Sequence, residues 1–135
     1  DIYALNAAYS ADNYAFAIAY ANVDVASYWG INASYSPDGF PTISGGYEFG
    51  DPDTGNDTTQ FAVGLRSDLG PGEITIGMGT NGAITDGAEE LYAYDLSYTY
   101  KFNDGMSFTP FAFIVEGANG GDDTTGVGAE IGFKF

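Results

Sequence analysis

The run LYAYDLSYTYKF, residues 91–102, carries Tyr92, Tyr94, Leu96, Tyr98, Tyr100 and Phe102 at every second position, with Ala93, Asp95, Ser97, Thr99 and Lys101 between them. Successive side chains of a β-strand point to opposite faces, so this segment has one aromatic face and one small, polar face. The same period recurs along the chain. YAFAIAYANV sets Tyr14, Phe16, Ile18 and Tyr20 against Ala15, Ala17, Ala19 and Ala21. YWGINASY sets Trp29, Ile31 and Ala33 against Tyr28, Gly30 and Asn32, and QFAVGLR sets Phe61, Val63 and Leu65 against Gln60, Gly64 and Arg66. EITIGMGT and the final GVGAEIGFKF repeat the pattern. Helical periodicity is hard to find. With weaker segments near 2–10, 41–49 and 106–116, the chain reads as nine antiparallel strands. In the last of these, MSFTPFAFIVE, the alternation slips around Pro110, which lacks a ladder donor and belongs at an edge or a bulge. The facing of that strand stays open.

Two architectures suit such strands. In a soluble sandwich the aromatic faces meet in a core; in an outer-membrane barrel they meet lipid while water fills the interior. Loop lengths favour the barrel. SADN, SPDGF, DLGPGE and FNDG are tight and rich in turn formers. They alternate with a modest stretch near 21–27 and then with GDPDTGNDTT, GTNGAITDGAEE and EGANGGDDTT. Short turns on one rim and long loops on the other are the habit of transmembrane barrels. Strands of roughly 10 residues tilted by ~40° also rise about 25 Å, the height of the apolar band. The expected fold is therefore all-β, an antiparallel transmembrane β-barrel occupying residues 1–135 as one domain. Nine strands place residue 1 on the long-loop rim, whereas single-chain bacterial barrels have an even count with both ends in the periplasm. The reading is thus the C-terminal portion of a larger barrel, with a closed eight-to-ten-stranded barrel as the alternative.

Composition excludes much else. The chain has no Cys and no His, which removes disulfide frameworks, thiol chemistry, serine-type triads and His-based zinc sites. Its 19 acids against 3 bases give a net charge of −16, which repels nucleic acid. No apolar stretch approaches the ~18 residues of a membrane helix. No enzyme activity and no cofactor are expected, and no Walker pattern or phosphate cradle occurs among the 20 glycines.

The last third, YKFNDGMSFTPFAFI followed by an acidic loop and DDTTGVGAEIGFKF, resembles the C-terminal end of cyanobacterial outer-membrane porins, relatives of the carbohydrate-selective porins. SYWGINASYSPDGFPTISGGYEFGD resembles a hairpin of the same family, and together the likeness covers roughly residues 25 to 135. The resemblance implies an outer-membrane channel for small solutes and inorganic ions or carbohydrate, commonly a homotrimer; the acidic loops are expected to be solvated surface that repels anions or bridges to lipopolysaccharide through divalent ions, beside outer-membrane lipid. The terminal Phe133 and Phe135 resemble the signal read by the barrel-assembly machinery. The peptidoglycan-binding domain usual at the family's N-terminus is not in these residues.

Candidate functional residues follow from the polar faces. Arg66, Lys101 and Lys134 fall there, close to the short-turn rim, and make a small cationic group if that face lines a lumen. Asp95 and Glu130 share the face farther up, and Glu48 joins them through a weaker strand. Rings of charge set pore selectivity, so these six are the expected pore-lining set of a weakly cation-preferring channel. The plainer reading is that they are solvated charges kept away from lipid. Tyr28, also on the polar face, is a lone candidate for stacking on sugars. DPDTGND places Asp51, Asp53 and Asp57 loosely like a calcium loop, but Asn56 stands where that loop needs Gly and Ala62 where it needs Glu. Two other functions remain: a filled barrel serving as an adhesin or phage-binding surface, and a soluble sugar-binding sandwich.

Overall fold

A computed structural model describes residues 2–134. It contains nine long strands: β1 (Ile2–Ser10), β2 (Tyr14–Val23), β3 (Ala26–Tyr35), β4 (Thr42–Pro52), β5 (Thr58–Leu69), β6 (Gly72–Thr80), β8 (Tyr92–Asn103), β9 (Met106–Val115) and β10 (Thr124–Phe133). A two-residue strand, β7 (Ile84–Thr85), lies inside the loop between β6 and β8 and pairs with β5. The long strands form one antiparallel meander in chain order, and β1 and β10 are its two edges.

The pairing settles which residues share a face, since directly opposed residues in an antiparallel ladder point the same way. One row runs Tyr14, Tyr35, Ile43, Leu65, Ile76, Leu96, Ala112, Val127 from β2 to β10. Its neighbour runs Phe16, Ala33, Gly45, Val63, Met78, Tyr94, Ile114, Thr125. The opposite face carries Ala15, Ser34, Ser44, Gly64, Gly77, Asp95, Phe113 and Gly126 in one row.

The first row also measures the tilt. It leaves β2 at Tyr14, the first residue of that strand, and reaches β10 at Val127, with Phe133 as that strand's last residue. Seven steps between neighbouring strands thus shift the sheet by six residues, 133 − 127, toward the short-turn rim. Six residues (~20 Å) over seven strand spacings (~34 Å) correspond to a strand tilt of about 31°, just below the ~35–45° usual for membrane barrels.

No dry core exists among the described residues. Ala26 is the one buried hydrophobic side chain, whereas Ile31, Ile43, Val63, Ile76 and Leu96 are each 46–56% exposed on the apolar face. No second sheet lies over that face. Rings pack against one another within it, as Tyr20 does on Trp29 at 4.6 Å between centroids and Tyr9 on Phe16 at 6.0 Å.

Two expectations need correction. Pro110 lies neither at an edge nor in a bulge: β9 is an interior strand, flanked by β8 and β10. The β8–β9 ladder skips the positions around it, between Ser97–Phe111 and Tyr100–Phe108. There the Thr99 and Thr109 hydroxyls are joined by a hydrogen bond of 3.0 Å, a side-chain link beside the ladder contact that proline cannot make. The bulge of this hairpin falls instead between Lys101 and Asn103. The modest loop near 21–27 is in fact tight, because β2 and β3 continue to Val23 and from Ala26 around Asp24, whose φ is +22°. Loop sorting therefore holds in the second half of the chain and is weak in the first.

Candidate functional site

Five of the six charged residues picked out by alternation stand on the polar side of the sheet by register, and the sixth, Lys134, follows the last strand. Glu48 of β4 lies between Gly30 and Gln60, and Arg66 of β5 between Thr42 and Thr75. Asp95 of β8 lies between Gly77 and Phe113, Lys101 opposite Ser107, and Glu130 of β10 opposite Thr109. Lys134 follows the end of β10, its backbone N–H donating to the Gly105 carbonyl at 2.8 Å.

The three bases do not form one group. Arg66 is engaged by Glu73, with Nε 3.5 Å from the carboxylate, on the neighbouring strand. Lys101 and Lys134 share a depression of about 360 Å³ at the short-turn rim with Asn103, Asp104 and Ser107. Asp95 folds across Gly77, so that any side chain at residue 77 would collide with its carboxylate.

Several polar-face residues escaped the sequence reading. Phe111 and Phe113 are the clearest: once β9 is in register they oppose Ser97 and Asp95, and their rings lie across Gly128 and Gly126. Pro110 hid this alternation. Tyr28, which alternation already places on the polar face, lies across Gly50, 39% exposed, and a Cβ at Gly50 would stand 3.0 Å from its ring. Asn32, Glu48 and Gln60 line a depression of about 470 Å³ floored by Ala19, Gly30, Gly46 and Ala62. A larger depression, about 550 Å³, lies on the apolar side among Ile43, Val63, Leu65, Ile76, Met78 and Leu96. Its lining suits an acyl chain and offers little to a polar solute.

The long loops are tied together. Asn56 Nδ2 donates to the Asp86 carbonyl at 2.8 Å, and the Asp86 N–H donates to the Asp57 carbonyl at 2.9 Å. Glu89 accepts from the Asn119 N–H at 2.5 Å, and Glu116 from the Tyr92 N–H at 3.0 Å. Among the described residues their acids form no group of three or more placed to hold a metal ion. Phe133 ends β10 on the apolar face opposite Met106, 62% exposed. Phe135 lies outside the described residues.

A search among curated proteins and a search among solved structures each found no match. A family model described as Gram-negative porin matches residues 1–122, from the start of the sheet through β9. That match covers most of a chain whose tilted, two-faced antiparallel strands have the geometry of a membrane wall, and this chain belongs to the Gram-negative porin family.

Proposed function

We propose that the chain forms the wall of a passive diffusion channel for small hydrophilic solutes and inorganic ions, with the polar face toward water and a weak preference for cations. The observation that carries this reading is the contrast between the two faces of one sheet. Large apolar side chains are exposed over one side with nothing packed on them among the described residues, while the other side is built mostly of Ala, Gly, Ser and scattered charge. Exposed apolar area on this scale is stable only against lipid or a partner. Outer-membrane location follows from the family. Channel function, rather than catalysis, is what such a family performs.

Glu48, Arg66, Asp95, Lys101, Glu130 and Lys134 are the proposed pore-lining set. The cation preference rests on charge: 19 acids outnumber 3 bases, and Arg66 is already paired with Glu73. The filled-barrel reading is disfavoured because the polar face of β1 to β6 is too thin to fill an interior. A sandwich would need a second sheet. The likeness to cyanobacterial and carbohydrate-selective porins, homotrimeric assembly, and contact of the acidic loops with lipopolysaccharide through divalent ions belong to the same proposal. So does the place of these strands in a larger barrel. β1 and β10 both run from the long-loop rim to the short-turn rim, so a fully antiparallel closure takes an odd number of further strands between them.

Reversal potential in a salt gradient across a planar bilayer tests the charge assignment. The double substitution Lys101→Glu, Lys134→Glu is expected to move it further toward cation selectivity. An unchanged potential would leave those lysines as solvated charges without influence on permeation.

A further inference from the structure

The 470 Å³ depression on the polar face joins residues from three adjacent strands into a constellation whose chemistry is more specific than that of a water-filled wall. Glu48 and Gln60 oppose each other directly across β4 and β5. Asn32 stands on β3, opposite Gly46. The floor of Ala19, Gly30, Gly46 and Ala62 keeps the side chains of the rim apart. Glu48 is the only charged residue among those lining the depression. Among the described residues neither Glu48 nor Gln60 has a side-chain hydrogen bond or an ion pair, so a carboxylate and an amide face the depression with their capacity unused. The Tyr28 ring is outside that lining and lies next along the same face, over Gly50, the second residue after Glu48 on β4.

We infer that this constellation is a binding subsite for small organic cations, ammonium compounds with an apolar body. The inference rests on the channel reading above. A carboxylate alone attracts any cation, and a compact hydrated ion gains little else here. An alkylammonium gains twice, because its charge meets Glu48 while its poorly hydrated methyl or methylene groups lie against the Tyr28 ring, where the π-face is negative. The Asn32 and Gln60 amide oxygens serve hydroxyl or N–H groups on the same ligand. The absence of any base from the lining and the net charge of −16 raise the local concentration of cations and leave anions unserved.

Choline, added to the long-loop side of a planar bilayer holding the channel in potassium chloride, tests this. It is expected to reduce the potassium current in a saturable way. Tyr28→Leu is expected to weaken that block roughly two- to fivefold, the value of a solvent-exposed cation–π contact. Glu48→Gln is expected to weaken it further and to lower cation preference as well. Each variant is first checked for folding by its heat-modifiable migration. Current steps that choline leaves unaltered, or a block that survives both substitutions, overturn the subsite alone. Block by a neutral trisaccharide that Glu48→Gln does not change assigns the depression to polyols and likewise overturns it. Absence of any current steps from the unsubstituted protein removes the channel reading and the subsite with it.

Discussion

Adjacent residues on one strand offer the sharpest test of which face meets lipid. Leu96 opposes Ile76 and Ala112 on the apolar side, and Ser97 opposes Thr75 and Phe111 on the polar side. Both sit near the middle of β8, a strand of 12 residues. At a tilt of about 31° each residue rises ~2.8 Å, so the strand stands roughly 34 Å tall and Leu96 lies about 4 Å from its midpoint. That is well inside an apolar band ~25 Å high, where a lysine on the lipid face costs ~2–4 kcal/mol. Leu96→Lys should therefore lower the folding equilibrium constant by roughly 30- to 900-fold, whereas Ser97→Lys, one residue away, should stay within about 0.5 kcal/mol of the parent. Guanidinium titration of the protein in lipid vesicles, followed by emission of the single tryptophan, reads both values. Equal costs at the two positions, or a greater cost at 97, would refute the assignment of faces.

Further expectations can be checked in the same system. Trp29 lies on the apolar face, in β3 beside Tyr20, three residues from the long-loop end of that strand. Its emission should be blue-shifted in vesicles and quenched more strongly by lipids brominated near the headgroup than by those brominated at the chain end; no quenching would place it away from lipid. Gly126→Val drives a side chain into the Phe113 ring and should cost ~1–3 kcal/mol by overpacking, relieved when Phe113→Ala is added. Glu89→Ala cuts the link to the Asn119 N–H and should speed proteolysis of the 116–123 loop without changing stability in the titration. An unaltered cleavage rate would show that the tie does not hold the loop.

Alternation made the fold legible wherever each face is chemically uniform. In β2, β5 and β8 the large residues occupy one parity without exception near the strand centre, and the ladders keep that parity. It failed where both parities are large. In β9, Phe108, Phe111 and Phe113 cannot be sorted by size, and only pairing with β8 and β10 puts Phe111 and Phe113 on the polar side. The residues they cover, Gly126 and Gly128, carried a signal: glycine at alternate positions of β10 leaves a slot that a cross-strand ring fills. The charged set was found by parity alone, but parity says nothing of neighbours across the ladder. The Arg66–Glu73 pair therefore went unseen, and so did the separation of Arg66 from the two lysines. The ties between long loops join residues 30 apart in sequence, such as Asn56 with Asp86 and Glu89 with Asn119, and leave no local trace.

The thin polar face runs against local propensity, and that conflict points to what the wall is for. Ala and Gly are poor strand formers, and glycine in a strand interior loses both packing and backbone entropy. Yet Ala15, Ala17, Ala19 and Ala21 fill one face of β2, and Gly46, Gly64, Gly77 and Gly79 occupy the same face of β4 to β6. A sheet selected for stability alone would place β-branched residues there and pack them. Smaller side chains contribute nothing to the ladder, but each widens whatever space that face encloses. The bulk is concentrated on β8 to β10, where Asp95, Lys101, Phe111, Phe113 and Glu130 project from the same side. A lumen bounded by these strands would be thinly lined along β2 to β6, with Tyr28, Glu48 and Arg66 as large exceptions, and textured along β8 to β10. Enlarging a small residue of the thin wall should therefore reduce conductance with little change in selectivity, while substitution of a charged residue, Glu48 on β4 as much as those on β8 to β10, should change selectivity. Gly64→Leu and Asp95→Asn, compared for single-channel conductance and reversal potential, separate the two effects, and a Gly64→Leu channel that conducts as before would show that this face does not bound the path.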